Sequence, residues 1–486
     1  MALFLMIICA YLIVGAFGLV YSLRITDRLG LLPIVAMIAN ECAWHLLGGL
    51  SCFSGASPEY IQTTAIGSTL DFIYMLCWGC GFLLVYHFSK RTPKHLLYYD
   101  MLRENIANPF VHVDANYYIS RLRPILLISI LCVFMLFPLS KILGWPVKYA
   151  WEWEGIQVSR FPLLHILMIR VIETAPALGC TWIILVGQKL IHRRNILALL
   201  AIFGYSVVWG LAMGVRGRAI APLVLLVLSI YVIHRKVRYL AALTLGAVLA
   251  VIIMSPVIEA MRKSNQFGMQ ASPIKRVKVL LSGPRSGERG LVSLRRMNIG
   301  YCTGVVYRET NRSGYVGLRP YYGVPFLLVP RLIYPNKPVY GSISNRKWDA
   351  LWYQVGRWMG GASERTASQT LGVGAQPYWV AGWLGVLFMG LLGGGVIGLI
   401  WYRWRVAYHP LGLAILMAVM VTGVEFSRLY YDLSWPLKDF VQKGGILAFL
   451  YLITRLFVWW RSSAPSYSRE EGVSLPDYSY MHRRAI

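Results

Sequence analysis

Residues 376–402 read QPYWVAGWLGVLFMGLLGGGVIGLIWY, an apolar run without one charged side chain. No water in a bilayer core satisfies backbone N–H and C=O groups, so a run of this length is a helix that pairs them internally. Barrel strands would alternate apolar with polar positions, and this run does not. Similar runs lie near 2–22, 30–50, 66–88, 124–143, 162–187, 196–213, 219–233, 239–257, 411–427 and 439–460. Composition agrees: 57% of the 486 residues are hydrophobic and 14% charged, against about 25% charged in soluble domains. The expected fold is an all-α polytopic membrane protein of about 11 transmembrane helices.

The first run, Ala2–Ser22, has neither a basic start nor a small-residue cleavage site, so it reads as a retained span. Loop 51–65 carries no Lys or Arg, whereas 89–123, 188–195, 234–238 and 403–405 are all basic. Alternation puts those four on one side, which the excess of Lys and Arg makes cytoplasmic. Residues 1–257 then hold eight spans, 258–375 form one large external loop, 376–460 hold three more spans, and 461–486 are a cytoplasmic tail. The eight cysteines show no metal-ligand pattern. Cys77 and Cys80 form a C-x-x-C inside a span, where small packing residues are the ordinary reading. Cys52 and Cys302 both fall in external loops and could pair, though nothing in the sequence demands it.

Between Glu259 and Ala375 the loop carries 18 Lys and Arg against five carboxylates, a net +13 of the chain's +27. Long loops are exempt from the positive-inside bias, which permits this charge without explaining it. A cationic surface gathers anions, so an anionic ligand is the functional reading; a solvated loop with adventitious charge is the plainer one.

Ionisable groups within a bilayer cost about 2.5–3.5 kcal/mol each on insertion scales, so their depth is informative. Glu41 lies mid-span with His45 one turn further out on the same face. Asp71 sits in the outer part of the third span. Arg170 and Glu173 share a face of the fifth and could neutralise each other as a structural pair. Arg216 and Arg218 stand in GVRGRAIAP (214–222), read as an outer turn, where planar donor forks suit phosphate oxygens and interfacial snorkelling is the alternative. Glu425 and Arg428 lie at the outer end of the tenth span. The inner halves are nearly bare, whereas a transporter lines a route through both halves. The distribution describes a polar cavity open to the outside.

Within the loop, residues 259–320 are expected to form short helices rather than a packed domain. Residues 321–332 (YYGVPFLLVPRL) are apolar but too short to span, which suits a re-entrant or interfacial helix. Arg331 and Lys337 bracket a turn stiffened by Pro335 and Pro338. Trp348, Trp352, Tyr353 and Trp358 suit either sugar stacking or an interface belt. Ser363, Thr366, Ser368 and Thr370 offer hydroxyls for sugars or caps, and Gly372, Gly374, Gly382 and Gly385 allow close backbone approach.

The PRLIYPNKP run (330–338), the Ser/Thr-rich segment leading into AGWLG (381–385), the outer arginines and the one late external loop resemble the O-antigen polymerase (Wzy-like) family of oligosaccharide repeat-unit polymerases. The layout match covers most of the chain and the motif match mainly 319–400. Family members often carry an acidic residue just before the late span, where this chain has Gln376. The resemblance implies a metal-independent membrane glycosyltransferase of GT-C type, with no cofactor, in a bacterial plasma membrane with its active site facing outside. It would move a growing glycan from undecaprenyl pyrophosphate onto a lipid-linked repeat unit. Its expected partners are the lipid-linked donor and acceptor and membrane lipids, with a chain-length regulator and a flippase beside it and no nucleic acid.

Leaving-group pyrophosphate gathers negative charge that fixed cations stabilise. Arg170, Arg216, Arg218, Arg331, Lys337 and Arg428 are therefore the candidate phosphate-binding residues, and Glu425, His45 and Glu173 the candidate bases. An O-antigen ligase-like transferase shares this logic, and a flippase of lipid-linked glycan is the non-enzyme alternative.

Overall fold

The computed structural model describes residues 2–24, 30–53, 56–90, 124–131, 134–135, 142, 162–186, 203–204, 207, 216–233, 298–329, 334, 349–359, 371–403, 412, 414–415, 418–419 and 434–463. The described residues form helices joined by short turns, with no strand among them. In chain order they are α1 (Ala2–Arg24), α2 (Leu32–Gly49), α3 (Pro58–Lys90), α4 (Pro162–Val186), α5 (Arg216–Ile233), α6 (Ile299–Ser313), α7 (Leu351–Trp358), α8 (Ala375–Gly398) and α9 (Ser434–Ser463). Three of the described helical stretches are long and apolar enough to cross a membrane: Leu32–Phe53, Pro58–Phe88 and Ala375–Trp401. The other expected spans are shorter apolar helices here or lie partly, and for 239–257 wholly, outside the described residues.

The centre of the packing is α3. At 33 residues it is about 50 Å long, well beyond the roughly 30 Å hydrocarbon core. It starts at Pro58 rather than near 66, because Ser57 accepts the Tyr60 N–H and proline suits the first helical position. Residues 51–65 are therefore mostly not a loop: a 3-10 turn, Leu50–Phe53, leads almost directly into α3. Hydropathy locates the apolar part of a helix, not its capped polar start.

Against α3 lies α8, and glycines set their spacing. Gly390, Gly394 and Gly398 repeat every fourth residue and face α3 around Tyr74, Trp78, Phe82 and Val85. A methyl on Gly394 would overlap the Trp78 carbonyl oxygen, and one on Gly81 the Leu391 carbonyl oxygen. Such small-residue faces let apolar helices pack backbone to backbone where no water drives them together. Beyond the break, Leu384 and Phe388 of α8 point outward and are exposed, as a lipid-facing surface requires. The helix breaks at Ala381–Gly382, where Gly382 has φ 64°. The carbonyls freed there are not left bare: Trp379 and Val380 accept the N–H groups of Val316 and Gly317, each at 3.2 Å.

The loop helix α6 also packs onto α3. Gly300 and Gly304 form a G-x-x-x-G face, and a methyl on Gly67 of α3 would overlap the Gly300 carbonyl oxygen. The far side of α6 joins α7 and the start of α8 in a second core of Cys302, Val305, Val306, Leu351, Val355 and Trp379. The described part of the expected loop, short helices included, is thus packed on the membrane helices. Within 321–332, the described residues 321–329 hold 3-10 turns and no α-helix, with turns at Arg319–Tyr321 and Val324–Leu328. Pro320 and Pro325 suit such short turns and not a continuing α-helix.

Candidate functional site

Where α2, α3, α6 and the turn before α8 meet, five polar side chains form one centre. The α-helical period puts Glu41 and His45 of α2 on one face, and Ser68 and Asp71 of α3 on another. From α6 comes Thr303. Each of the five is at most 2% exposed. Asp71 Oδ1 accepts the Gly374 N–H at 2.8 Å, and Asp71 Oδ2 accepts the Thr303 hydroxyl at 3.0 Å. Thr303 Oγ1 in turn accepts the Gly372 N–H at 3.1 Å. Gly372 is required here for space, since a methyl on it would overlap the Asp71 carboxylate.

His45 joins the two carboxylates. Its Nε2 stands 3.4 Å from Asp71 Oδ2 and 3.6 Å from Glu41 Oε2, distances of ion-pair contact longer than good hydrogen bonds. Its Nδ1 lies 3.0 Å from Ser68 Oγ, and Tyr11 stacks on the ring at 4.5 Å between centroids. Hydroxyl, imidazole and carboxylate in line is the order of nucleophilic triads. Here the backbone of Gly300 closes over Ser68: a methyl on Gly300 would overlap Ser68 Oγ. No substrate carbonyl fits between them, so Ser68 is not placed as a nucleophile. Among the described residues these donors do not converge as a metal-ligand set.

A second network lies one turn away. Asn298 caps α6 by accepting the Tyr301 N–H at 3.0 Å. Its amide Nδ2 is within hydrogen-bond reach of Tyr60 OH at 3.0 Å and of Ser51 Oγ and Thr64 Oγ1, both at 3.2 Å. At the other end of α6, Arg308 bonds Glu59 of α3 at 2.9 Å. The helix is held at its start, middle and end.

Beside this contact opens a cleft of about 630 Å³, floored by Trp379 at the broken start of α8. The end of α6, the turn after it and α7 wall it with Glu309, Tyr315, Arg319, Gln354 and Trp358. The volume falls in the roughly 300–1,000 Å³ range of small-ligand sites.

The expected site residues divide as follows. His45 lies in the buried centre and does not line the cleft. Arg170 and Glu173 lie one turn apart in α4. Arg216 and Arg218 lie in the first turn of α5, which begins at Arg216, rather than in a turn ahead of it. Arg331, Lys337, Glu425 and Arg428 lie outside the described residues, as do Ser363, Thr366, Ser368 and Thr370. Cys52 and Cys302 do not pair: both are free thiols. Burial, with the Asp71 charge second, pushes the Cys302 thiol up to about 12.

Three features escaped the sequence reading. Thr303 and Asn298 bind across more than 230 residues, and no local signal reports such a partner. The G-x-x-x-G of α6 was present in GYCTG (300–304) and is a known mark of close helix contact. Lys443 of α9 is 2% exposed and donates to the Ala418 carbonyl at 2.9 Å, one more buried cation in a span. Comparison with family models, curated proteins and solved structures finds no match for this chain.

Proposed function

We propose that this chain is a membrane glycosyltransferase that lengthens a glycan carried on undecaprenyl pyrophosphate, in the manner of the repeat-unit polymerases. One observation carries the reading: the loop is docked on the membrane helices through a buried carboxylate–imidazole–hydroxyl centre, and a polar, aromatic cleft opens at that junction. A lipid-linked glycan needs this combination, with its carrier in the bilayer and its sugars in water. In the proposed reaction the anomeric carbon–phosphate oxygen bond of the donor breaks and an acceptor hydroxyl forms the new glycosidic bond. The hydroxyl proton passes to a base, for which Glu425, Glu173 and His45 are the candidates, and undecaprenyl pyrophosphate leaves. Arg216, Arg218, Arg331 and Arg428 are assigned to the departing pyrophosphate, with Arg170 and Lys337 in support.

The test is lengthening of a lipid-linked repeat unit by the purified protein, with Arg216→Ala and Arg218→Ala singly and together. The double variant is expected to lose at least about a hundredfold in rate, the scale of removing charge-stabilising donors. Full activity in a folded double variant would overturn the arginine assignment. Transfer to lipid A or protein without lengthening on the carrier would identify a ligase instead.

One feature favours a second reading. The break in α8 resembles the discontinuous helices that build transporter sites, so a flippase of the same glycan is the competing function. Val316 and Gly317 already occupy two carbonyls at that break. Protein that moves lipid-linked glycan between leaflets and never lengthens it would decide for the flippase.

A further inference from the structure

We infer that the 630 Å³ cleft is a pyranose-binding subsite for the water-borne glycan, with Trp358 and Gln354 of α7 as its specificity residues. The inference rests on the glycan reading above. Gln354 and Trp358 are four apart on α7 and so share one face. The Gln354 Nε2 donates to the Asp349 carbonyl at 2.9 Å, which fixes the amide plane and keeps its oxygen as a positioned acceptor. Asp349 accepts a contact from Arg357 at 3.7 Å, so this end of α7 is braced.

Opposite stands Glu309. Arg308 and Arg312 both engage its Oε1, at 3.0 and 3.3 Å, so Oε2 is the oxygen left to a ligand among the described contacts. The chain then turns through Gly314 and Gly317, with φ of 86° and 65°, values that glycine adopts without strain. That turn delivers Tyr315 to the cleft wall and Arg319 to its exposed rim.

Charge and shape select the ligand class. The lining holds a single guanidinium, Arg319 at the exposed rim, and Glu309 stands in the same wall, which is not the cluster of converging cations that a phosphate site presents. A lipid tail would need an apolar lining, and Glu309, Arg319 and Gln354 interrupt this one. A pyranose has an apolar C–H face for an aromatic ring and a belt of hydroxyls for planar acceptors and a donor fork. Aromatic rings with a few oriented polar groups are what the cleft supplies.

The experiment uses full-length protein in nanodiscs. The probe is free oligosaccharide released by mild acid from the lipid-linked glycans of the source strain. Ligand-observed NMR reads binding, and lengthening of the lipid-linked repeat unit reads activity. For wild type, saturation transfer to the oligosaccharide is expected. For Trp358→Ala and Gln354→Ala, transfer is expected to be lost. Loss of an aromatic contact is expected to raise the half-saturating acceptor concentration about fivefold, with the maximal rate kept. Arg319→Ala, an exposed change that leaves the core untouched, is expected to act in the same direction and guards against misfolding of the α7 variants.

Lengthening by wild type with all three variants unchanged would overturn the subsite and leave the polymerase reading standing. Oligosaccharide binding that needs Trp358, in a protein that never lengthens the repeat, would uphold the subsite and overturn the polymerase. Neither binding nor lengthening would overturn both.

Discussion

Asp71 touches three other elements: the His45 ring of α2, the Thr303 hydroxyl of α6 and the Gly374 N–H ahead of α8. It is fully buried, so each of these partners is dehydrated as well. Removing one member of such a set strands the others, which typically costs about 3–5 kcal/mol. Asp71→Ala is expected to lower the unfolding free energy of the protein in nanodiscs by that order, read as a lower unfolding midpoint. Asp71→Asn, which keeps an acceptor for the Gly374 N–H, is expected to lose less. Equal midpoints for wild type and Asp71→Ala would refute the keystone role. In the sequence, Asp71 announced itself as a charge in a span. What it bonds was not legible, because its partner Gly374 lies 303 residues further on.

At the scale of elements, the crossing of α6 on α3 depends on Gly67, Gly300 and Gly304. A side chain at Gly304 would run into the Thr63 carbonyl, which is backbone and cannot swing aside. Gly304→Leu is therefore expected to undock α6, with the loop becoming several-fold more sensitive to protease in nanodiscs. Gly445→Leu on α9, where an added Cβ meets nothing within 4 Å, is the matched control and is expected to be silent. Equal protease resistance in both would refute close contact. Helix existence was legible for α2, α3 and α8 because their apolar runs are long. The early start of α3 was written in Ser57-Pro58-Glu59, a capping signal that a hydropathy window averages away. The docking of α6 was harder to read: the helix is short, carries Arg308, Glu309 and Arg312, and looks like solvated loop by composition.

For the whole molecule, the orientation proposed from the charge asymmetry of the short loops puts the cleft on the outside. Ser313, exposed at the cleft, tests this as Ser313→Cys. Membrane-impermeant maleimide is expected to label it in intact cells, against a background of the parent chain. Labelling that needs permeabilised cells would invert the topology and move the proposed reaction to the other leaflet. The helical membrane class was legible from composition because a bilayer leaves backbone few options. The buried centre was only half legible: its charges could be located by depth, but their assembly depends on four elements spread from α2 to α8.

That spread has a consequence for synthesis. The Gly374 N–H that completes Asp71 is made 303 residues after it, roughly 15–60 s later at ordinary translation rates. During that interval the Asp71 carboxylate of α3 has been made and still lacks its Gly374 partner. His45, made shortly before Asp71, is the partner at hand from the outset. The ribosome therefore delivers this centre in a fixed order, imidazole first and α8 last. Closure of α8 over α3 is the event that turns a tethered set of helices into a finished fold.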